Sequence, residues 1–366
     1  MTELDRQRLS EALALAEQAI GLSDPNPRVG CVIGREDGTL LGRGHTRRAG
    51  QAHAEVDALA DARRASADVK GATAWVTLEP CAHQGRTPPC CDALVDAGIA
   101  RAVVAMLDPF PAVNGAGIAR LRAAGVQVDL ADGDLAEQAR ELNIGFFTRI
   151  EKGRPWVRLK AAMSLDGRTA LENGRSQWIT SAAARADGHA WRRRAGAVLT
   201  GIGTILADDP RLDVRDVPTT LQPLRVVLDS RWRTPRSARV LQPPGQALIC
   251  GVVAHRAAAG GFAVDVELLD LPTGRQGLSL PAVLAELSRR QINEVHVEAG
   301  ARLNGALLEQ GLVDEIVAYV GPMLLGPGWP MALLEARTEL DAALRFRLLE
   351  VTTIGSDARL RLQRLQ

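Results

Sequence analysis

The sequence predicts an α/β protein of two domains, each with a mostly parallel β-sheet covered by helices. At 366 residues the chain exceeds what one hydrophobic core usually covers. Short apolar segments alternate with amphipathic ones along both halves, the pattern of a parallel sheet with helices on its faces. The sequence turns polar from Arg149 to Pro155, and we place the boundary there, giving domains 1–150 and 151–366.

The first half opens with an amphipathic helix over residues 4–20, whose apolar residues recur at helical spacing. Pro88 and Pro89 favour the start of a later helix that Gly98 ends. Apolar runs predict the strands 29–33, 74–78, 100–107 and 126–130. Helical periodicity predicts two further helices, at 52–64 and 117–125.

The second half repeats this alternation with different segments, and no sequence period relates it to the first. Strands are predicted at 156–164, 197–202, 224–229, 246–252, 294–299 and 315–320. Helices are predicted at 182–195, 280–290 and 303–311. The order of these segments again indicates an α/β domain.

Composition favours a small-molecule partner in the cytoplasm. The 44 Lys and Arg balance the 43 Asp and Glu, so no long-range positive field attracts nucleic acid or an acidic membrane. Aromatic residues are only 3%, too few for platforms that stack single-stranded bases. Charges interrupt the apolar N-terminal segment, unlike a signal peptide, and no apolar run is long enough to span a membrane. Five cysteines in a reducing compartment are not expected to form a disulfide framework.

Three motifs of the first half belong together: His53-Ala54-Glu55, Pro80-Cys81 and Pro89-Cys90. One imidazole and two thiolates are the ligands of a catalytic zinc site, whose fourth position is open to water. Zinc lowers the pKa of such a water toward about 7. Glu55 lies two residues from His53, so it can take a proton from that water without binding the metal. Cys90 falls in the first turn of a predicted helix, where the macrodipole favours a thiolate.

The remaining cysteines and histidines lack this support. Cys91 is an open alternative, because it neighbours Cys90 and could bind the metal in its place. Cys31 and Cys250 lie in apolar strands and are expected in the core. No cluster in the sequence supports three of the histidines: His189, His255 and His296.

The H-x-E and P-C motifs resemble those of zinc nucleobase deaminases, except that eight residues rather than two separate the cysteines. The run from Glu79 to Cys90, EPCAHQGRTPPC, is similar to the deaminase half of the bifunctional riboflavin-biosynthesis enzymes. So are the segments 26–30, 44–45, 108–109 and 114–117, which extend the resemblance over residues 1–150. The resemblance implies a cytidine-deaminase-like three-layer fold. It also implies that the substrate is bound by Asn26, His83 and Arg86.

No G-x-G-x-x-G follows a strand where a dinucleotide fold would need it. Four segments instead resemble the reductase half of the same family, at residues 159–170, 176–181, 207–210 and 297–304. The resemblance implies a dihydrofolate-reductase-like α/β fold. Gly300 lies between a strand and a helix, so backbone N–H groups there could approach a diphosphate.

The resemblance also assigns residues of the second half. Contacts to NADPH are implied for Ala162, Trp178, Thr204, Asp208, Gly300, Ala301, Arg302, Leu303, Asn304, Gly305 and Ala306. Contacts to the reductase substrate are implied for Ser176, Arg192, Leu212, Arg215 and Glu298. Structural alternatives stay open: Trp178 as core, Arg192 on a solvated helix face, and the run at 206–210 as a plain turn.

The implied function has two steps on a pyrimidine ribotide. A zinc-dependent hydrolysis removes the 2-amino group of 2,5-diamino-6-ribosylamino-4(3H)-pyrimidinone 5′-phosphate, and an NADPH-dependent step reduces the ribosyl group to ribityl. We expect a homo-oligomer. One rival is a nucleic-acid base deaminase with a non-catalytic nucleotide-binding domain. Another makes the second domain a nucleotide sensor without turnover.

Overall fold

The computed structural model describes residues 1–85, 88–111, 113–258, 261–262, 266–275 and 277–365. The chain divides into two compact units, Met1–Gly153 and Arg154–Gln366. Each unit combines one main sheet with helices, which confirms the α/β class. None of the described helices is both long and apolar enough to cross a membrane.

The first unit is built on a five-stranded sheet, counted over the described residues, in the order β2-β1-β3-β4-β5. Its strands are β1 (Gly30–Gly34), β2 (Leu40–His45), β3 (Thr73–Val76), β4 (Arg101–Val104) and β5 (Gln127–Leu130). Its helices are α1 (Glu3–Glu17), α2 (Ala54–Arg64), α3 (Cys90–Asp96), α4 (Ala116–Ala123), α5 (Asp134–Leu142) and α6 (Ile144–Lys152).

The expectation of a mostly parallel sheet is wrong for β1 and β2. Strands β3, β4 and β5 are parallel, but β1 is antiparallel to both β2 and β3. Residues 35–39 join β1 to β2, and so short a connection permits only a hairpin. Strand β2 escaped prediction because glycines interrupt its apolar pattern. A side chain on Gly44 would lie 2.3 Å from the backbone nitrogen of Ala58, so α2 packs directly on the strand.

The helices cover the sheet on both faces and give the three layers expected. Side chains of α1 and α5 pack with Val32, Trp75 and Val103 on one face. Side chains of α2, α3, α4 and α6 pack on the other, around residues such as Val76 and Leu94. The side chains of Cys31 and Cys91 belong to this second core.

The second unit has a nine-stranded sheet within the described residues, in the order β11-β10-β9-β8-β14-β6-β15-β18-β17. Its sheet strands are β6 (Trp156–Ser164), β8 (Ala197–Gly201), β9 (Leu224–Leu228), β10 (Ala247–Val252), β11 (Val266–Leu271), β14 (Glu294–Val297), β15 (Glu315–Gly321), β17 (Phe346–Ile354) and β18 (Asp357–Arg364). Short ribbons are formed by β7 (Arg168–Leu171), β12 (Thr273–Gly274), β13 (Gly277–Leu278) and β16 (Gly328–Pro330). The helices are α7 (Ala182–Arg194), α8 (Ile202–Asp208), α9 (Leu280–Arg289) and α10 (Ala301–Glu309).

This sheet is parallel from β11 to β15 and antiparallel in the C-terminal hairpin β17–β18, which the sequence did not predict. Side chains of α9 and α10 pack on one face, and those of α7 and α8 on the other. Strands β8 to β11 are added on one side of β6, and β15 is added on its other side. Strand β14 lies between β6 and β8, so the order in which strands are added reverses beside it. In open α/β sheets, ligands bind beyond the carboxyl ends of the strands at such a point.

Helix α8 replaces the plain turn that was one interpretation of residues 206–210. The helix begins at Ile202, which was expected to end a strand, and its C-cap Asp209 has a left-handed φ of 41°. Thr204 and Asp208 therefore lie on one short helix directly after β8.

A buried carboxylate joins α1 to the centre of the first sheet, and its removal should destabilise that unit. Asp5, fully buried, accepts hydrogen bonds from Trp75 Nε1 at 2.8 Å and from Arg101 Nη1 at 2.8 Å. We expect Asp5→Ala to lower the free energy of opening by about 2–3 kcal/mol, because it leaves both donors without this acceptor. Hydrogen–deuterium exchange of β3 and β4 peptides measures it.

The matched control is Asp134→Ala, at an exposed residue whose ion pair with Arg6 spans 3.6 Å. Exchange of the same peptides should be unchanged in the control. Equal exchange rates in Asp5→Ala and in the wild type would contradict the role given to Asp5.

Candidate functional site

Three elements of the first unit bring one histidine and two cysteines together. His53 is the N-cap of α2, Cys81 follows β3, and Cys90 is the first residue of α3. The ligand atoms of these residues all lie within 4.8 Å of one another. His53 Nδ1 is 3.6 Å from Cys81 Sγ and 3.3 Å from Cys90 Sγ.

This arrangement fits a zinc ion. Around a tetrahedral zinc with bonds of about 2.0–2.3 Å, neighbouring N and S ligands lie about 3.5 Å apart. The two nitrogen–sulfur distances bracket that value. Hydrogen bonding from Cys90 lowers the pKa of the Cys81 thiol well below its usual value, which favours the thiolate form that binds a metal.

Glu55 lies in the first turn of α2, beside the cluster, and is only 3% exposed. Burial raises its pKa to about 7, and the negative charge of Cys81 adds to the effect. A carboxyl group with a pKa near the working pH can both accept and return a proton.

Cys91 faces away from this cluster. Its thiol is buried and lies 3.7 Å from Asp92 Oδ1, and burial raises its pKa to about 11. Among the described residues the metal-ligand group contains Cys90 and not Cys91. The structure therefore gives the alternative ligand no geometric support.

Two of the predicted substrate residues, Asn26 and His83, lie on loops of the same unit. The His83 ring packs against Phe110, with centroids 5.6 Å apart. The Asn26 backbone N–H closes a turn onto Ser23 O at 2.9 Å. Arg86 lies outside the described residues.

Glu79 organises the loop after β4, a role that the sequence did not reveal. Its two carboxylate oxygens accept the backbone N–H groups of Asp108, Gly115, Gly117 and Ile118, at 2.9–3.3 Å. A side chain on Gly117 would lie 2.0 Å from Pro80 O, so the loop also packs on the segment that leads to Cys81. The only signal in the sequence was an acid two residues before a ligand cysteine.

In the second unit, α10 begins directly beyond β14 with Gly300 as its N-cap. Asn304 N donates to Gly300 O, so the N–H groups not used within the helix belong to Ala301, Arg302 and Leu303. The Asn304 side chain is occupied elsewhere, because it donates to Ala299 O and Met331 O. The backbone of Gly305 packs against Leu333 O.

Thr204 on α8 faces this loop. A side chain built on Gly300 would meet only Thr204 Oγ1, at 4.0 Å, which leaves open space for a ligand. The N–H groups of α10 and the hydroxyl of α8 thus border one space. Such a helix N-terminus suits a phosphate group of a dinucleotide.

Glu298, directly after β14, pairs with Arg192 of α7. Arg192 Nη2 donates to Glu298 Oε2 at 2.9 Å, and Arg192 Nη1 donates to Asp213 O at 2.9 Å. Burial favours the protonated acid, yet the Arg192 guanidinium holds the pKa of Glu298 well below its usual range. Arg192 is therefore not on a solvated helix face, the alternative that its Arg-Arg-Arg run suggested.

Two further basic residues of the second unit border Glu298. Burial lowers the pKa of Lys160 on β6, and the Glu298 carboxylate opposes that shift. His296 Nε2 lies 3.5 Å from Glu298 Oε1, although the sequence placed no cluster around this histidine. A lysine in the middle of an apolar strand was the available signal for Lys160.

The other predicted reductase residues are more dispersed. Trp178 is 63% exposed, with the Arg185 guanidinium 4.1 Å from its ring centroid, so it is not a core residue.

Leu212 is buried with a left-handed φ of 55°. Arg215 Nη1 donates to Asp213 Oδ1 at 2.7 Å. Ala162 lies on β6 beside Tyr319, and Ser176 lies between β7 and α7.

Family models match both units. The cytidine and deoxycytidylate deaminase zinc-binding region matches residues 2–106. The RibD C-terminal domain matches residues 155–360.

Full-length relatives agree with these matches. The riboflavin biosynthesis protein RibD of Escherichia coli K12 is 43% identical, covering 98% of this chain and 99% of its own. A solved structure of Acinetobacter baumannii RibD superposes with a TM-score of 0.87 at 43% identity, covering 100% and 99%. A Thermotoga maritima diaminohydroxyphosphoribosylaminopyrimidine deaminase/5-amino-6-(5-phosphoribosylamino)uracil reductase gives 0.88 at 30% identity, covering 99% of each chain. The chain therefore belongs to the RibD family, the bifunctional deaminase–reductases of riboflavin biosynthesis.

Proposed function

We propose that the first unit deaminates 2,5-diamino-6-ribosylamino-4(3H)-pyrimidinone 5′-phosphate. The second unit then reduces the ribosyl group of 5-amino-6-(5-phosphoribosylamino)uracil to ribityl. The observation that carries the proposal is the meeting of His53, Cys81 and Cys90 beside the buried carboxyl of Glu55. The Thermotoga maritima relative is named for both of these activities.

In the first reaction His53, Cys81 and Cys90 hold zinc, which supplies a Lewis acid that makes water a nucleophile at neutral pH. Glu55 takes a proton and returns it to the pyrimidine ring and to the departing ammonia. Its burial beside the ligands keeps this proton from exchanging freely with solvent. Asn26 contacts the pyrimidine, and His83 and Arg86 hold the ribose phosphate.

In the second reaction NADPH supplies the hydride, and the chain orients it against C1′ of the ribose. The N–H groups of Ala301, Arg302 and Leu303 bind the diphosphate, together with Thr204 and Asp208 of α8. Ala162 and Trp178 contact the rest of the cofactor, and Asn304, Gly305 and Ala306 in the first turns of α10 complete the cofactor site. The substrate is held by Ser176, Arg192, Leu212, Arg215 and Glu298.

The working form is proposed to be a cytoplasmic homo-oligomer that acts on small molecules and not on nucleic acid. The net charge of +1 argues against a polyanionic partner. Two ligand thiolates need a compartment in which thiols stay reduced. Leu348 and Val351 on the edge strand β17 are 54% and 59% exposed, which favours contact with a second copy.

The direct test is incubation of the purified protein with the diaminopyrimidine ribotide and NADPH, followed by mass measurement of the product. We expect a product that has exchanged an amino group for oxygen and has gained two hydrogens. Ammonia release from single-stranded DNA or tRNA, with no reaction on the ribotide, would contradict the proposal.

Zinc content should distinguish the two neighbouring cysteines. Cys90→Ser removes a ligand at the metal and should lower bound zinc well below one per chain. Cys91→Ser is the matched control and should keep one zinc per chain, because its thiol points to Asp92. Metal analysis of both variants measures the zinc bound per chain. One full zinc per chain in Cys90→Ser would overturn the ligand assignment.

The two activities should be separable by mutation. Glu55→Gln keeps the side-chain size but removes the group that accepts protons, so deamination should fall by about 10²- to 10⁴-fold. Reduction of separately supplied 5-amino-6-(5-phosphoribosylamino)uracil should stay near wild type. Both half-reactions are assayed on variant protein of confirmed zinc content and melting temperature. Joint loss of both activities in folded protein would refute separate sites.

The reductase should prefer NADPH to NADH. The prediction rests on the family resemblance. Its expected size is the free energy of one charge-assisted hydrogen bond to the 2′-phosphate of NADPH. The preference in kcat/KM should be about tenfold or more. Steady-state kinetics with both cofactors measures it, and an equal or higher kcat/KM with NADH is the contrary result.

A further inference from the structure

His189 on α7 links that helix to the segment Leu212–Asp216. The side chain is 4% exposed, and both ring nitrogens have partners. Nδ1 accepts the backbone N–H of Arg215 at 3.3 Å, and Nε2 lies 3.1 Å from Asp216 Oδ2. The sequence placed no cluster around His189, whereas the structure surrounds it with charged groups from two segments.

The contacts of the ring define its tautomer. Burial and the nearby guanidinium groups of Arg192 and Arg215 lower the pKa of His189 to about 4, so the ring is neutral at working pH. Nδ1 must be unprotonated to accept from Arg215, so the proton is on Nε2 and is donated to Asp216. Arg192 Nη1 is farther from Nε2, at 3.5 Å, and both groups are donors.

The segment that His189 holds has an unusual backbone. Leu212, its first residue, has a positive φ of 55°, and Asp209, three residues before it, has a φ of 41°, a region that non-glycine residues rarely adopt. Such a backbone persists only when its surroundings hold it. Arg192 donates to the carbonyl oxygen of Asp213, and His189 accepts the N–H of Arg215 two residues later. Residues on successive turns of α7 thus hold the segment at two points.

We propose that His189 is a positioning residue for the reductase, because it fixes the backbone of Arg215 relative to the Arg192–Glu298 pair. The inference rests on the proposed function, in which Arg192, Arg215 and Glu298 contact the deaminated ribotide. Helix α7 thereby positions both the Arg192–Glu298 ion pair and the loop that carries the Arg215 guanidinium. The cofactor loop at Gly300 lies on other elements and has no contact with His189.

Three substitutions separate the two hydrogen bonds of the ring. The Oδ1 atom of His189→Asn can replace Nδ1 as the acceptor for the Arg215 N–H. The longer His189→Gln offers a donor near the position of Nε2, toward Asp216. His189→Ala offers neither, and His255→Ala, at an exposed histidine of the same unit, is the control.

The measured quantities are KM and kcat for reduction of 5-amino-6-(5-phosphoribosylamino)uracil and KM for NADPH. We expect His189→Ala and His189→Gln to raise the ribotide KM about tenfold, the loss of roughly one hydrogen bond. KM for NADPH should change little, and His189→Asn should return the ribotide KM most of the way to wild type. Deamination by the same preparations measures the amount of active first unit, and an unchanged KM for NADPH shows that the second unit is folded.

Hydrogen–deuterium exchange of peptides covering residues 209–216 supplies a readout that does not depend on turnover. Faster exchange is expected there in His189→Ala and not in His189→Asn. An unchanged ribotide KM in His189→Ala, or an equal rise in both KM values, overturns the proposal while leaving the proposed function intact. A ribotide KM restored by Gln and not by Asn also overturns it. A wild-type enzyme that cannot reduce the ribotide overturns the proposed function and this inference with it.

Discussion

The candidate deaminase site depends on a buried carboxylate that is neither a candidate zinc ligand nor a predicted substrate residue. Glu79 accepts four backbone N–H groups from the loop after β4 and the start of α4, and it is two residues from Cys81. Backbone N–H groups at a helix start have no partners within the helix, so a carboxylate there satisfies several of them at once. The same contacts set the distance between the metal-binding segment and the loop that carries Phe110 against His83. The geometry of the site therefore follows from the need to satisfy buried polar groups.

The reductase unit uses the same principle with charges of both signs. Arg192 and Glu298 are paired below the surface, and Arg192 also binds the backbone of the segment that carries Arg215. Deeper in the sheet, Arg158 pairs with Glu294 at 2.6 Å and with Glu315 at 2.8 Å. Breaking such pairs is costly because the remaining charge is left buried. Each ion pair fixes the relative position of a helix or strand that also carries a proposed ligand-binding residue.

The fold class and the motifs of the candidate metal site could be predicted because both are local patterns. The alternation of strands and helices is a feature of consecutive residues, and the candidate ligands His53, Cys81 and Cys90 stand in short motifs. Strand β2 and the hairpin β17–β18 could not be predicted in this way. Glycines that allow the backbone of α2 to pack closely hide the first. The second has exposed apolar residues such as Leu348 and Val351 on an edge strand, so its apolar residues do not mark a buried face. His189 was missed because its partners lie 26 and 27 residues further along the chain.

By itself the sequence determined the family, the α/β class and the residue types at the metal site, since these depend on composition and short spacing. Only the tertiary structure shows which of the two neighbouring cysteines lies beside His53 and Cys81, because Cys90 and Cys91 have the same side chain and differ in the direction it takes at the start of α3. It also decided that Arg192 is paired rather than solvated. Helix periodicity predicts which face of α7 carries Arg192, but the opposing charge is Glu298, directly after β14 and more than 100 residues away. Contacts between distant segments depend on how strands are ordered in the sheet, and that order is set by packing of the whole unit.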